Sequence, residues 1–183
     1  MYTIKGILIA PLLACAALCQ TAGPQLIKTG IFLLPGSGGN VVMRLTYKGP
    51  VLVDAPRYGD PAALRKLSFK ISDQPPALTL ATEAKFASSG NAITQQGSNI
   101  EIGGIEVRVL RFDPERTGID RAFYFPDLKV VAIGGLTESR APGVSEALSD
   151  ILKLDFEIAA PGNGPLLKRK DLLDWLERIR DTR

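Results

Sequence analysis

The sequence predicts an α+β fold in which two β-sheets pack face to face with helices on their outer sides. Three observations carry this expectation. Short strand-like runs outnumber helical ones. The helical patterns fall at three separated points, between or after groups of strands, which is the order expected of layered sheets covered by helices. The chain has 183 residues, 45% of them hydrophobic and 22% charged, so it is large enough to fill the core of one such domain.

The elements follow in order. From Gln25, the runs LIKTGIFLL and NVVMRLTY flank the turn PGSGG, and PVLVDAP follows the turn KGP. Asp60 followed by Pro61 reads as a helix start, a carboxylate cap with proline at the first helical position. Ala62, Leu64, Leu67 and Phe69 then form the apolar stripe of a short helix. ALTLAT reads as a buried strand after two prolines. NIEIGGIEVRVLRF reads as a hairpin around Gly103 and Gly104. RAFYFPDLKVVAIGG is a second hairpin, turning at Pro126 and Asp127. Ser145 is expected to cap the helix EALSDILKL, FEIAA is a short strand, and KRKDLLDWLERIRDTR closes the chain as a helix. In that last helix Leu172, Trp175, Leu176 and Ile179 share one face, as core residues do.

Residues 1–22 form a separate object. One cation, Lys5, precedes an apolar run from Ile7 to Leu18, interrupted by Pro11, and small residues follow at Thr21, Ala22 and Gly23. The run is short for a membrane span and matches a secretory signal peptide, with cleavage expected near Cys19 or Ala22. LLAC ending at Cys15 offers the alternative of a lipoprotein signal and an N-terminal lipid anchor. Both cysteines lie in this segment, so residues 23–183 carry no disulfide, thiol nucleophile or thiolate metal ligand.

Composition excludes several functions. A net charge of +3, with basic residues scattered and 7% aromatic content, argues against a nucleic-acid surface. PGSGGN has no following lysine and no helix start, so it is a turn and not a phosphate loop. The chain contains no histidine.

Four segments in order resemble the metallo-β-lactamase superfamily. GPVLVDAP is similar to the family's second-strand motif ending in an aspartate, here Asp54. TLATEAKFASSGN resembles the strand end that bears T-H-x-H-x-D-H before glycine and asparagine. FDPERTGIDRAFYFPDLKVVAIGGL resembles the H-T-x-G-D segment with the hairpin ending in T-G-D, and LDFEIAAPGNGPLLKRKDLLDWL resembles P-G-H-G-P before the last helix. The resemblance implies, for residues 23–183, a four-layer αββα sandwich of the metallo-β-lactamase type. It is a shortened one, since only AITQQGSN separates Asn91 from the next strand, where family enzymes commonly insert more.

The same resemblance places the family's metal ligands at Glu83, Lys85, Ala87, Ser88, Arg116, Gly135 and Asn163, and every one of these positions is substituted. Zinc requires lone pairs from imidazole, carboxylate or thiolate. Lysine and arginine are donors only, alanine and glycine offer nothing, serine is a poor ligand, and one amide oxygen with one carboxylate does not hold a catalytic ion. Without the metal there is no activated water and no Lewis acid, so no metal cofactor is expected and the family's hydrolysis should be absent. Lys85 and Arg116, with Glu83 as a partner, would instead supply charge around Asp54 as an ion-pair network. Lys85 and Arg116, with Arg57 or Arg140, also suggest a pocket for a small anion. Asp54 is expected to hold loop backbone and not to act as a base. A Ser88–Lys85 nucleophile pair reverses the familiar order and sits in a loop.

These readings converge on an exported protein, periplasmic or extracellular, with a hydrolase fold and no zinc site, acting by binding a small anionic ligand or an exported partner. The alternatives are a metal-independent hydrolase using Lys85, Ser88, Glu83 and Arg116, or a residual metallo-hydrolase.

Overall fold

A computed structural model of the chain describes residues 23–86 and 99–181. The first sheet contains β1 (Gln25–Lys28), β2 (Ile31–Pro35), β3 (Asn40–Arg44), β4 (Val51–Val53) and β5 (Leu78–Leu80), hydrogen-bonded in chain order. The run LIKTGIFLL is thus two strands, not one, folded back at Thr29 and Gly30 so that Gln25 pairs with Leu33. The β1–β4 pairs are antiparallel, and β5 adds in parallel, opposing Val53 to Leu80. The crossover between β4 and β5 carries helix α1 (Pro61–Ser68). Its first turn is capped by Asp60, whose Oδ1 accepts from the amides of Ala62 at 2.9 Å and Ala63 at 3.0 Å.

The second sheet holds β6 (Asn99–Ile102), β7 (Ile105–Arg111), β8 (Arg121–Phe125), β9 (Val130–Gly134), β10 (Ile158–Pro161) and β11 (Leu167–Lys168). Its order is β11-β10-β9-β8-β7-β6, antiparallel except for the β9–β10 pair. A short α2 (Pro114–Thr117) joins β7 to β8, and α3 (Val144–Ile151) fills the crossover between the parallel pair. The chain ends in α4 (Arg169–Asp181).

The period of two along each strand creates the four layers. In β4, Val51 and Val53 face the space between the sheets and Leu52 faces outward under α1, with Leu64. In β9, Val130 and Ala132 face inward, opposite Val42, Leu78 and Leu80, whereas Val131 and Ile133 face outward beneath α3 and α4. Leu172 and Leu176 of α4 are buried on that outer face, with Trp175 and Ile179 packed beside them. Both strand types are therefore buried on two sides, which is why VVAIG in β9 is apolar throughout.

Two local expectations are corrected. Helix α3 starts two residues earlier than expected and has Gly143 at its N-cap, with no side-chain cap; Ser145 lies inside the first turn. The basic run at 168–170, which read alone is a solvated helix start opposed to the helix dipole, has a specific use. Arg169 donates from Nη1 to Leu154 O at 2.6 Å and from Nη2 to Leu152 O, and its guanidinium lies 5.2 Å from the Phe156 ring. A cation at the start of α4 thereby serves the carbonyl end of α3, where positive charge is favourable.

Candidate functional site

The ends of β4, β5, β9 and β10 converge, and their loops form one polar centre. Asp54 leaves β4 in the left-handed conformation, φ 60 and ψ 35, a region that aspartate tolerates better than most residues. Its amide donates to Leu80 O at 2.8 Å, continuing the β4–β5 pairing by one step. Its carboxylate accepts from Thr82 twice, from the amide at 2.7 Å and from the hydroxyl at 2.7 Å. Asp54 thus staples the two strand ends together. Burial pushes its carboxyl above the ordinary value of 3.8, against the hydrogen bonds from Thr82 and the charge of Arg57, and the Glu83 carboxylate adds to the rise.

The turn after Asp54 is a single 3-10 helix, Ala55–Tyr58, which drives Arg57 inward until its side chain is 6% exposed. The guanidinium is surrounded by three carboxylates from three segments. Nη2 pairs with Glu83 Oε1, Nη1 lies 3.4 Å from Glu138 Oε1, and Nε lies 4.0 Å from Asp54 Oδ2. The other Glu83 oxygen pairs with Lys85 Nζ at 2.5 Å, on the solvent side, where the lysine side chain is 66% exposed.

Glycine backbones form the floor of this centre. A Cβ placed on Gly135 would stand 2.7 Å from Arg57 Nη2 and 2.8 Å from Glu83 Oε1. One placed on Gly162 would stand 2.8 Å from Arg57 Cζ and 2.9 Å from its Nη1. The guanidinium therefore lies against bare main chain at the ends of β9 and β10. Asn40 holds the second of these loops: its amide donates to Gly162 O at 2.7 Å, and Nδ2 donates to Pro161 O at 3.0 Å and Gly164 O at 2.9 Å.

The structure brings Glu83, Lys85 and Gly135 together with Asp54 and Arg57, but not Arg116. Arg116 is spent on an exposed ion pair with Glu146 of α3, 2.7 Å from Oε2. Asn163 is exposed on the loop that Asn40 holds. Ala87 and Ser88 lie outside the described residues. The residue that sequence reasoning underrated is Arg57, named only as a further cation, because the cue to its burial is the glycines at 135 and 162, far away in the chain.

The donor set does not fit a zinc centre. Arginine and lysine have no lone pair to give, and both oxygens of Glu83 face cations. A dication near Gly135 would meet the Arg57 guanidinium. Among the described residues, no group of three or more histidine, cysteine, aspartate or glutamate side chains is arranged to hold a metal ion.

No protein-family model matches the sequence, and no curated protein matches it either. Solved structures do. A metallo-beta-lactamase from Pontibacter korlensis superposes with a TM-score of 0.66 at 15% identity, over 86% of this chain and 98% of that one. A metallo-beta-lactamase family protein from Thermus thermophilus matches with a TM-score of 0.65 at 14% identity, over 85% and 81% of the two chains. The stereoselective inverting sec-alkylsulfatase Pisa1 from Pseudomonas sp. gives a TM-score of 0.63 at 12% identity over 85% of this chain, which spans only 41% of the sulfatase. The protein has the metallo-β-lactamase fold, an α+β sandwich, here in a short form. Among its described residues it has the fold without the metal-binding group.

Proposed function

We propose that this chain is an exported, non-catalytic member of its fold class, a binding or accessory protein in which a guanidinium occupies the centre where the fold's enzymes gather metal ligands. The observation that carries the reading is the position of Arg57, buried among Asp54, Glu83 and Glu138 and pressed against Gly135 and Gly162. A permanently protonated group there neither ligates a metal nor takes a proton from water, so it supplies cohesion and no nucleophile. The layout of residues 1–22 supports export.

The test is metal content and activity on the same preparation. Protein purified without chelator is expected to carry far less than one equivalent of zinc, to give no saturable heat on zinc titration, and to be silent in a broad esterase, lactamase and sulfatase screen. Stoichiometric zinc would overturn the reading. Turnover that disappears in Lys85→Ala would overturn it in favour of relocated, metal-independent chemistry. Fractionation with a C-terminal tag, with cleavage mapped by mass spectrometry, tests export separately.

A further inference from the structure

A cavity of about 570 Å³ lies outside the first sheet, between Leu52 of β4, the inner face of α1 and the segment at 74–76. It belongs to neither the Arg57 centre nor the space between the sheets. Its size falls within the roughly 300–1,000 Å³ of small-molecule sites. Its walls are unusually poor in donors. Pro56, Pro61, Pro75 and Pro76 line it, four residues with no backbone N–H and a fixed φ, so this part of the wall is both apolar and rigid. Leu52, Ala55, Leu64 and Phe69 supply the remaining apolar surface, and Phe69 is left 45% exposed. An apolar surface of this kind left open to water is unfavourable unless something uses it.

The polar side chains of the cavity are few, Arg65, Ser68 and Gln74, and Arg65 alone is charged. Arg65 lies at the rim with its guanidinium 5.6 Å from the centroid of the Phe69 ring, and among the described residues no carboxylate pairs with it. Ser68 is buried in the wall, and its hydroxyl has no hydrogen-bond partner among the described residues. One unneutralised guanidinium beside an apolar, proline-walled cavity is complementary to an amphipathic anion, with an apolar tail inside and a planar oxyanion on the Arg65 fork.

We propose that this cavity is a binding site for a small amphipathic carboxylate, of the size of a medium-chain fatty acid, with the chain against Leu52 and Leu64 and the carboxylate on Arg65. The site stands apart from the Arg57 centre, so it holds whether or not that centre is catalytically silent.

The experiment titrates the full chain with octanoate and, separately, with 1-octanol, following backbone amide signals by two-dimensional NMR. Octanoate is expected to give saturable shifts confined to Leu52, Leu64, Phe69 and their neighbours, at lower concentration than 1-octanol. Arg65→Gln, an exposed change on α1, is expected to weaken octanoate roughly tenfold or more and to leave 1-octanol unchanged. Ala55→Leu, which narrows the cavity, is expected to weaken both. Octanoate shifts that fail to saturate or scatter over the surface would overturn the site. Equal affinity for octanoate and 1-octanol, unaltered by Arg65→Gln, would overturn the role of the guanidinium.

Discussion

Arg57 and Gly135 are sterically exclusive partners. The guanidinium Nη2 lies where a side chain at 135 would begin, 2.7 Å from an ideal Cβ. A side chain at 135 and the inward guanidinium of Arg57 therefore exclude one another. Gly135→Ala is therefore expected to destabilise the protein by about 1–3 kcal/mol, as overpacking of a well-filled site does. In an Arg57→Ala background the same change should cost much less. A double-mutant cycle in urea reads the coupling, and strict additivity would show that the two residues do not compete for space.

Removing the arginine leaves Glu83, and Asp54 more remotely, without a buried counter-charge. Arg57→Met is expected to lose about 3–5 kcal/mol, the usual cost of breaking a buried pair from one side. Arg57→Lys should recover only part of this, because an ammonium does not reach Glu83 and Glu138 together with a planar fork. Equilibrium unfolding of the three proteins gives the order.

Arg116 gives the contrasting case. Its pair with Glu146 has side chains 55% and 60% exposed, and water screens it. Arg116→Met should change stability by less than about 1 kcal/mol in either direction. A larger loss would mean that Arg116 contributes to the Asp54 centre after all.

Asp54 makes stability pH-dependent with a definite sign. Its carboxyl is raised above 3.8, chiefly by burial, so the folded protein holds that proton more tightly than the unfolded chain. The stability linked to this group is complete below about pH 4 and is lost as pH rises through the folded value. Asp54→Asn keeps an acceptor for the Thr82 amide and tolerates the left-handed backbone. The variant should therefore gain on the wild type as pH rises from about 4 towards neutrality. Paired denaturation curves across that range measure the difference, and a constant difference would show that Asp54 does not titrate with folding.

Arg169 is the last test. Its two bonds to Leu152 and Leu154 carbonyls and its stacking near Phe156 join the end of α3 to the start of α4. Arg169→Leu leaves those carbonyls without this donor and should cost about 1–3 kcal/mol, with hydrogen exchange rising first at the end of α3.

Much of the fold was legible because its signals are local. The continuous apolar runs of Val51–Val53 and Val130–Gly134, the Asp60-Pro61 start and the Gly103-Gly104 turn depend on neighbours a few residues away. The division of the first strand at Thr29 and Gly30 was not legible, since the apolar run reads on through the turn. Nor was the use of Arg169, whose acceptors lie fifteen and seventeen residues back and on another helix end.

By itself, the sequence determined the layered architecture and the loss of every imidazole and, beyond residue 22, every thiolate, since a residue type that is absent cannot ligate in any conformation. Only the tertiary structure decided which cation stands at the centre. Lys85 and Arg116 were equal candidates on charge alone, but Arg57 takes the position because strand ends carrying residues 57, 83, 135, 138 and 162 meet there. Burial among three carboxylates, with two glycines leaving the space open, is a property of that meeting and of no single segment.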